Sequence, residues 1–117
     1  MRVLAASDLM FGSRIRQAAE AAGVEVAFEP RDGDVLARAR ELRPGAVLLD
    51  LTTVPDAAAL VCALRATPEL AGLRIFGYVG HAQVDLAEAA QTAGADRVFS
   101  KGELTRRLPE LMAVLAK

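Results

Sequence analysis

Among 117 residues there is one cysteine, no tryptophan and only five aromatic side chains, and each shortage removes a class of protein. Cys62 alone can close no internal disulfide and can build no cysteine-based metal site. With four Phe and one Tyr, the core has to be filled by Leu, Val and Ala, which suits close layers of helix on sheet. Neither sign of charge is in excess: 14 basic against 15 acidic side chains give a net charge of −1. Nucleic-acid and membrane surfaces need clustered Lys and Arg, so neither partner is expected. No apolar run approaches the roughly 18 residues of a membrane span, and Met1-Arg2-Val3-Leu4 does not open a signal peptide. A reduced, cytoplasmic location follows as the expectation. What the chain does have is 53% apolar and 25% charged residues, enough for one well-filled core, so a single domain over 1–117 is expected.

Five short apolar runs alternate with amphipathic stretches. The runs are Val3 to Ala6, Val24 to Phe28, Ala46 to Leu49, Ile75 to Val79 and Arg97 to Ser100. Bounded by Gly, Pro or Asp, they read as strands. Ala46-Val47-Leu48-Leu49 shows no polar alternation, the mark of a strand covered on both faces. Between them Phe11, Ile15, Ala18 and Ala22 share a helix face that Gly23 stops, and Val35, Ala39 and Leu42 share another ended by Pro44. Leu60, Val61 and Leu64 form a third stripe closed by Pro68, with Cys62 expected among them as a small buried apolar residue. Leu86, Ala89 and Ala93 form a fourth, stopped by Gly94. Leu104, Leu108, Leu111 and Leu115 are the core stripe of a last helix. Pro109 is expected in the first turn of that helix, since deeper it would cost about 3 kcal/mol.

Five βα units with crossovers of helical length imply a parallel sheet with right-handed connections. The economical arrangement is the doubly wound order 2-1-3-4-5, in which chemistry gathers at the carboxyl ends of strands 1 and 3. Strand 1 ends in Ser7-Asp8, strand 3 in Asp50 and strand 5 in Ser100-Lys101. Two carboxylates and an ammonium would therefore converge. A fixed carboxylate can attack a phosphoryl group whose charge is neutralised, and hard oxygen ligands suit Mg²⁺. A lysine can pair with a phosphoryl oxygen.

With those residues in order, the whole chain resembles the receiver domain of bacterial response regulators, a flavodoxin-like fold of five strands and five helices. The resemblance rests on Ala46-Val47-Leu48-Leu49-Asp50, on Leu64-Arg65-Ala66-Thr67-Pro68-Glu69-Leu70, and on Gly94-Ala95-Asp96 followed by Phe99-Ser100-Lys101. It implies Asp50 as phosphoacceptor and Lys101 as the cation that pairs with the phosphoryl group. It also implies Mg²⁺ held by Asp8, Asp50 and the backbone carbonyl of Thr52. Ser7 stands where the family has the first of two acids, so Mg²⁺ is expected to bind weakly.

The departures concern the conformational switch. Val79 replaces the hydroxyl residue that ends strand 4, and Val98 replaces the aromatic residue that follows its movement. Phe99 lies one position off, so strand alternation points it to the other face. The loop Thr52-Thr53-Val54-Pro55-Asp56 also departs from the family pattern, and Leu9-Met10-Phe11 brings apolar bulk to the lip of the site. For Phe11 a core role is weighed above a lid or partner contact, and for His81 a loop role above a base or metal ligand. The expected function is a stand-alone, non-enzymatic signalling protein that contacts a protein partner, a histidine kinase or a downstream effector. The expected surface is helix 4, strand 5 and helix 5, from Val84 to Leu115. Two alternatives stay open: a working phospho-accepting response regulator, and a flavodoxin-like small-ligand binder. The turn Ser7 to Ser13 lacks a hydroxyl-rich phosphate loop and a G-x-G-x-x-G pattern, and Asp8 would repel a phosphate.

Overall fold

A computed structural model describes residues 2–30, 33–80 and 83–117. In chain order the elements are β1 (Arg2–Ala6), α1 (Leu9–Ala22), β2 (Glu25–Phe28), α2 (Val35–Leu42), β3 (Ala46–Asp50), α3 (Ala57–Ala66), β4 (Arg74–Val79), α4 (Val84–Ala93), β5 (Arg97–Ser100) and α5 (Lys101–Leu115). One turn of 3₁₀ helix, Pro68–Leu70, follows α3. The strands form one parallel sheet in the order β2-β1-β3-β4-β5, as the alternation of runs predicts. No helix of the described residues is long and apolar enough to cross a membrane.

The sheet is wound on both faces, so the core divides in two. On one side α2, α3 and α4 cover Leu4, Val47, Leu49, Ile75 and Val79. On the other α1 and α5 cover Val3, Ala5, Leu48, Tyr78 and Phe99. Every residue of β3 is buried, which explains its unbroken apolar run. Gly23 ends α1 in the left-handed conformation at φ 74°, a C-terminal stop that costs glycine no Cβ clash. Gly77 has a different reason. A Cβ there would stand 2.8 Å from a methyl of Leu51, so the bare backbone is what lets Leu51 pack under β4.

Four details differ from the sequence reading. In α4 the covered stripe is Ala87, Ala90 and Ala93, while Leu86 and Ala89 face outward, because the offset alanines let the helix sit closer to the sheet. Pro109 is the ninth residue of α5, not in its first turn. The Ser100 hydroxyl accepts the Glu103 N–H at 3.1 Å and starts the helix directly after β5, which leaves Pro109 inside it on an exposed face. In that last helix Met112 is fully buried and Leu111 only half so. Cys62 is exposed, because the stripe of α3 that faces the sheet is Ala57, Val61 and Leu64, and residue 62 turns away from it.

At the amino end of the sheet, Arg65 binds three segments at once. Its guanidinium donates to the carbonyls of Gly94 (2.7 Å) and Leu73 (2.6 Å) and to Asp96 Oδ2 (2.6 Å). The same Asp96 oxygen accepts the Ile75 N–H at 2.7 Å. Asp96 is therefore a structural acid, remote from the carboxyl edge.

Two measurements check these features. Gly77→Ala is expected to destabilise the fold by about 1–3 kcal/mol through overpacking against Leu51, although glycine-to-alanine in a strand normally helps. Unchanged or raised unfolding midpoints in denaturant would contradict it. Cys62 is expected to react fully with an aromatic disulfide reagent in the native state, and protection until unfolding would refute its exposure.

Candidate functional site

Parallel register sets up the carboxyl edge. Ala6 of β1 pairs with Leu49 of β3, so Ser7 and Asp50 leave the sheet side by side. Asp50 pairs with Tyr78 of β4, and Val79 pairs with Ser100 of β5. Asp8, Asp50 and Lys101 thus follow the ends of β1, β3 and β5, where the sequence reading placed them.

Asp8 is the N-cap of α1. Its Oδ1 accepts the Phe11 N–H at 2.7 Å, and its Oδ2 lies 3.4 Å from the Lys101 ammonium. Lys101 opens α5, where the helix dipole disfavours a cation, and the Asp8 carboxylate offsets that. The ammonium also stands 5.7 Å from the centroid of the Phe11 ring. This bridge is part-exposed and spans the mouth of the notch. Asp50 lies deeper, at 3% exposure, the one buried charged residue among those described. Its Oδ1 accepts the Thr52 N–H at 3.0 Å, and its carbonyl accepts from Val54 N at 3.0 Å. The Thr52 N–H therefore supplies part of the solvation that burial removes from the carboxylate.

Tyr78 is the participant that sequence reasoning missed. Its ring belongs to the α1–α5 side of the core and stacks on Phe11 at 4.6 Å and 30°. Phe11 is 3% exposed, so its core role holds, while Leu9 and Met10 project into solvent. The Tyr78 hydroxyl reaches up to the edge, among Asp50, Asp8 and Ser7, and yet has no hydrogen-bond partner of proper geometry. Burial, followed by the negative charges of Asp50 and Asp8, pushes the phenol well above its ordinary 10.0, against a smaller pull from the Ser7 hydroxyl. The group is thus a neutral donor that stands near carboxylates without making a well-formed hydrogen bond to either. A clue was available in Ile75-Phe76-Gly77-Tyr78-Val79: the only tyrosine of the chain sits in a buried strand, one residue from the edge.

Val79 is 7% exposed and belongs to the α2–α3–α4 side of the core, and Val98 is half-buried against the same side. Neither offers a donor to the notch. Phe99 points to the opposite side, at 3% exposure. The loops after β3 and β4 are nonetheless joined. The Thr52 hydroxyl donates to Gln83 Oε1 at 2.5 Å, and that oxygen also accepts the Gly80 N–H at 3.3 Å. His81 lies outside the described residues. Beside the notch, toward β2, a hollow of about 460 Å³ is lined in part by Ser7, Gly12, Ser13, Arg16 and Phe28, with Asp8 on its rim.

No cluster of three or more His, Cys, Asp or Glu able to hold a metal exists among the described residues. Two carboxylates with a backbone carbonyl remain a minimal oxygen set for Mg²⁺, the rest being water. The orphaned Tyr78 hydroxyl fits a notch that accommodates further oxygen ligands. Asp8, Asp50 and the Thr52 carbonyl would hold the ion, once Asp8 Oδ2 parts from Lys101. When bound, Mg²⁺ supplies positive charge against incoming phosphoryl oxygens.

The fold is shared with many solved structures. A response regulator from Hahella chejuensis superposes with a TM-score of 0.83 at 18% identity, over 97% of this chain and 93% of that one. The chemotaxis response regulator CheY4 of Vibrio cholerae gives 0.81 at 19%, over 97% of each chain. The REC domain of AraT, a response regulator from Geobacillus stearothermophilus, gives 0.78 at 23%, over 98% and 92%. No protein-family model matches the sequence, and no curated protein does. The architecture is that of response-regulator receiver domains.

The Tyr78 environment carries a pH signature. Below pH 10 the phenol is protonated whether the chain is folded or not, and it adds no pH dependence. Above pH 10 the unfolded chain releases the proton that the folded state keeps, so Tyr78 lowers stability by about 1.4 kcal/mol per pH unit. In an absorbance titration the phenolate band is expected to appear only together with unfolding. Native protein that shows a phenolate near pH 10 would contradict this environment.

Proposed function

We propose that this chain is a receiver-type signalling module that acts through protein–protein contact, and that an event at Asp50 is uncoupled from the β4–α4 side of the fold. The observation that carries the reading is the end of β4. On the face of β4 toward α4 a phosphoryl group on Asp50 would meet the Val79 methyls, while Thr52 and Gln83 already tie the two loops together without any ligand. A ligand shifts a conformational equilibrium only by its differential interaction with the two states. On this side that difference is small.

In this reading Asp50 is the phosphoacceptor position, Lys101 the phosphoryl-pairing cation, and Asp8, Asp50 and Thr52 a weak Mg²⁺ site. The partner is a protein, a histidine kinase or a downstream effector, that meets the α4–β5–α5 face. Val84 (60% exposed) and Val114 (50% exposed) supply apolar contact there. The edge of β5 adds a groove of about 220 Å³ between Phe76, Phe99 and Leu111, flanked by Arg97 and Arg107. Apolar centre and charged rim are the usual anatomy of a specific contact. A second reading, phospho-acceptance with a working output, draws support from the unpartnered Tyr78 hydroxyl.

The test combines intact mass with hydrogen exchange after treatment with acetyl phosphate and Mg²⁺. Exchange in α4 is expected to stay the same whether or not one phosphoryl mass appears on Asp50. Val79→Thr restores a hydroxyl at the end of β4 and is expected to make α4 respond in the phosphorylated fraction. Phosphorylation-dependent protection of α4 in the unaltered protein would overturn the uncoupled reading.

A further inference from the structure

Among the described residues, only two buried side-chain oxygens lack a hydrogen-bond partner, Tyr78 Oη and Thr53 Oγ1. Both belong to the surroundings of Asp50: Tyr78 is its partner in strand register, and Thr53 lies in the loop that follows it. A buried hydroxyl left unpaired is destabilising, and folded proteins keep few of them. Two at one edge mark a place where acceptor oxygens belong.

The geometry points to Tyr78 as the residue that receives a phosphoryl-type oxyanion seated on Asp50, donating the hydrogen bond that Val79 cannot. The consequence is directional. Tyr78 and Val79 are neighbours on one strand, so their side chains leave by opposite faces. An oxyanion held by Tyr78 therefore acts on the α1–α5 side. There the phenol ring stacks on Phe11 at 4.6 Å, Phe11 donates its N–H to Asp8 at 2.7 Å, and the same Asp8 bridges to Lys101 at the start of α5 at 3.4 Å. Entry of the anion parts Lys101 from Asp8, a bridge of part-exposed groups that is cheap to open. It then recruits the ammonium and the phenol together. The oxygens of a bound phosphoryl group are charged acceptors, to which hydrogen bonds are short and strong.

This inference rests on Asp50 being the acceptor position, as proposed above, but it does not depend on the state of α4. When the oxyanion comes from an acyl phosphate, an Asp50 carboxylate oxygen bonds phosphorus while the donor's P–O bond breaks. The carboxylate of the donor leaves with the electron pair, and no further reactant is consumed.

The chain has one tyrosine and no tryptophan, so its intrinsic emission reports on Tyr78 alone. Beryllium fluoride with Mg²⁺ serves as the phosphoryl mimic, its binding followed independently by fluorine NMR. The expected results are a change in Tyr78 emission that Asp50→Asn abolishes, altered hydrogen exchange in α1 and the start of α5, and affinity about tenfold or more weaker in Tyr78→Phe. Without ligand, Tyr78→Phe is expected to fold and to melt no lower than the parent, since it removes an unpaired buried hydroxyl. Binding of beryllium fluoride with unaltered Tyr78 emission and equal affinity in Tyr78→Phe would overturn the inference and leave the contact-module reading intact. Absence of binding would overturn it as well. So would an equal emission response to inorganic phosphate in the parent and in Asp50→Asn, which would assign the signal to a free anion. The contact-module reading fails by a different readout, the exchange of α4.

Discussion

The adjacency of β1 and β3 governs the rest of the molecule. Their crossovers leave toward opposite faces of the sheet, so the chain parts above them and opens a notch at their carboxyl ends. Register then decides who stands in it. Because Ala6 lies beside Leu49, the acid that caps α1 and the acid that ends β3 share one edge. Because Asp50 lies beside Tyr78, a phenol rises into the same space. A slip of one residue in β4 would exchange Tyr78 and Val79 between the two halves of the core and rebuild the site entirely.

The notch is asymmetric in its chemistry. Toward α2, α3 and α4 it meets aliphatic carbon and a pair of loops already bonded to each other. Toward α1 and α5 it meets a stacked aromatic pair, a hydroxyl without an acceptor and a carboxylate–ammonium bridge. Both sides share one strand and one backbone, and a single position of alternation separates an inert wall from a responsive one. Two acids and a lysine, Asp8, Asp50 and Lys101, thus meet an edge whose two flanks differ in what they can offer a ligand.

Much of this was legible in the sequence. The five strands and their order follow from runs whose apolar character depends only on being covered on both faces, and Asp8, Asp50 and Lys101 follow from where those runs stop. Tyr78 was not legible, because the pattern of β4 gives its face but not the reach of a phenol from a core position to the sheet edge. The Thr52–Gln83 bond joins residues 31 apart and leaves no trace in local pattern. In α4 two alanine stripes lie one residue apart, and composition favours the one with Leu86 although packing takes the other. Cys62 was misjudged for a similar reason: apolar neighbours along the chain do not fix the angle of one residue around a helix axis. Pro109 falls deeper than expected because Ser100 caps α5 and Lys101 already belongs to it, directly after the strand that the sequence ends at Ser100-Lys101.

The triple anchorage made by Arg65 has a mechanical meaning. It fastens the end of α3, the entry to β4 and the entry to β5 at the sheet's amino edge, the far end from the notch. The entries of β4 and β5 are thereby fixed, while at the carboxyl edge the loops that follow β3 and β4 are joined through the Thr52 hydroxyl and Gln83. Asp50 stands on β3 at the opposite end of the sheet, so this anchorage is a fixed base beneath whatever rearranges at the notch.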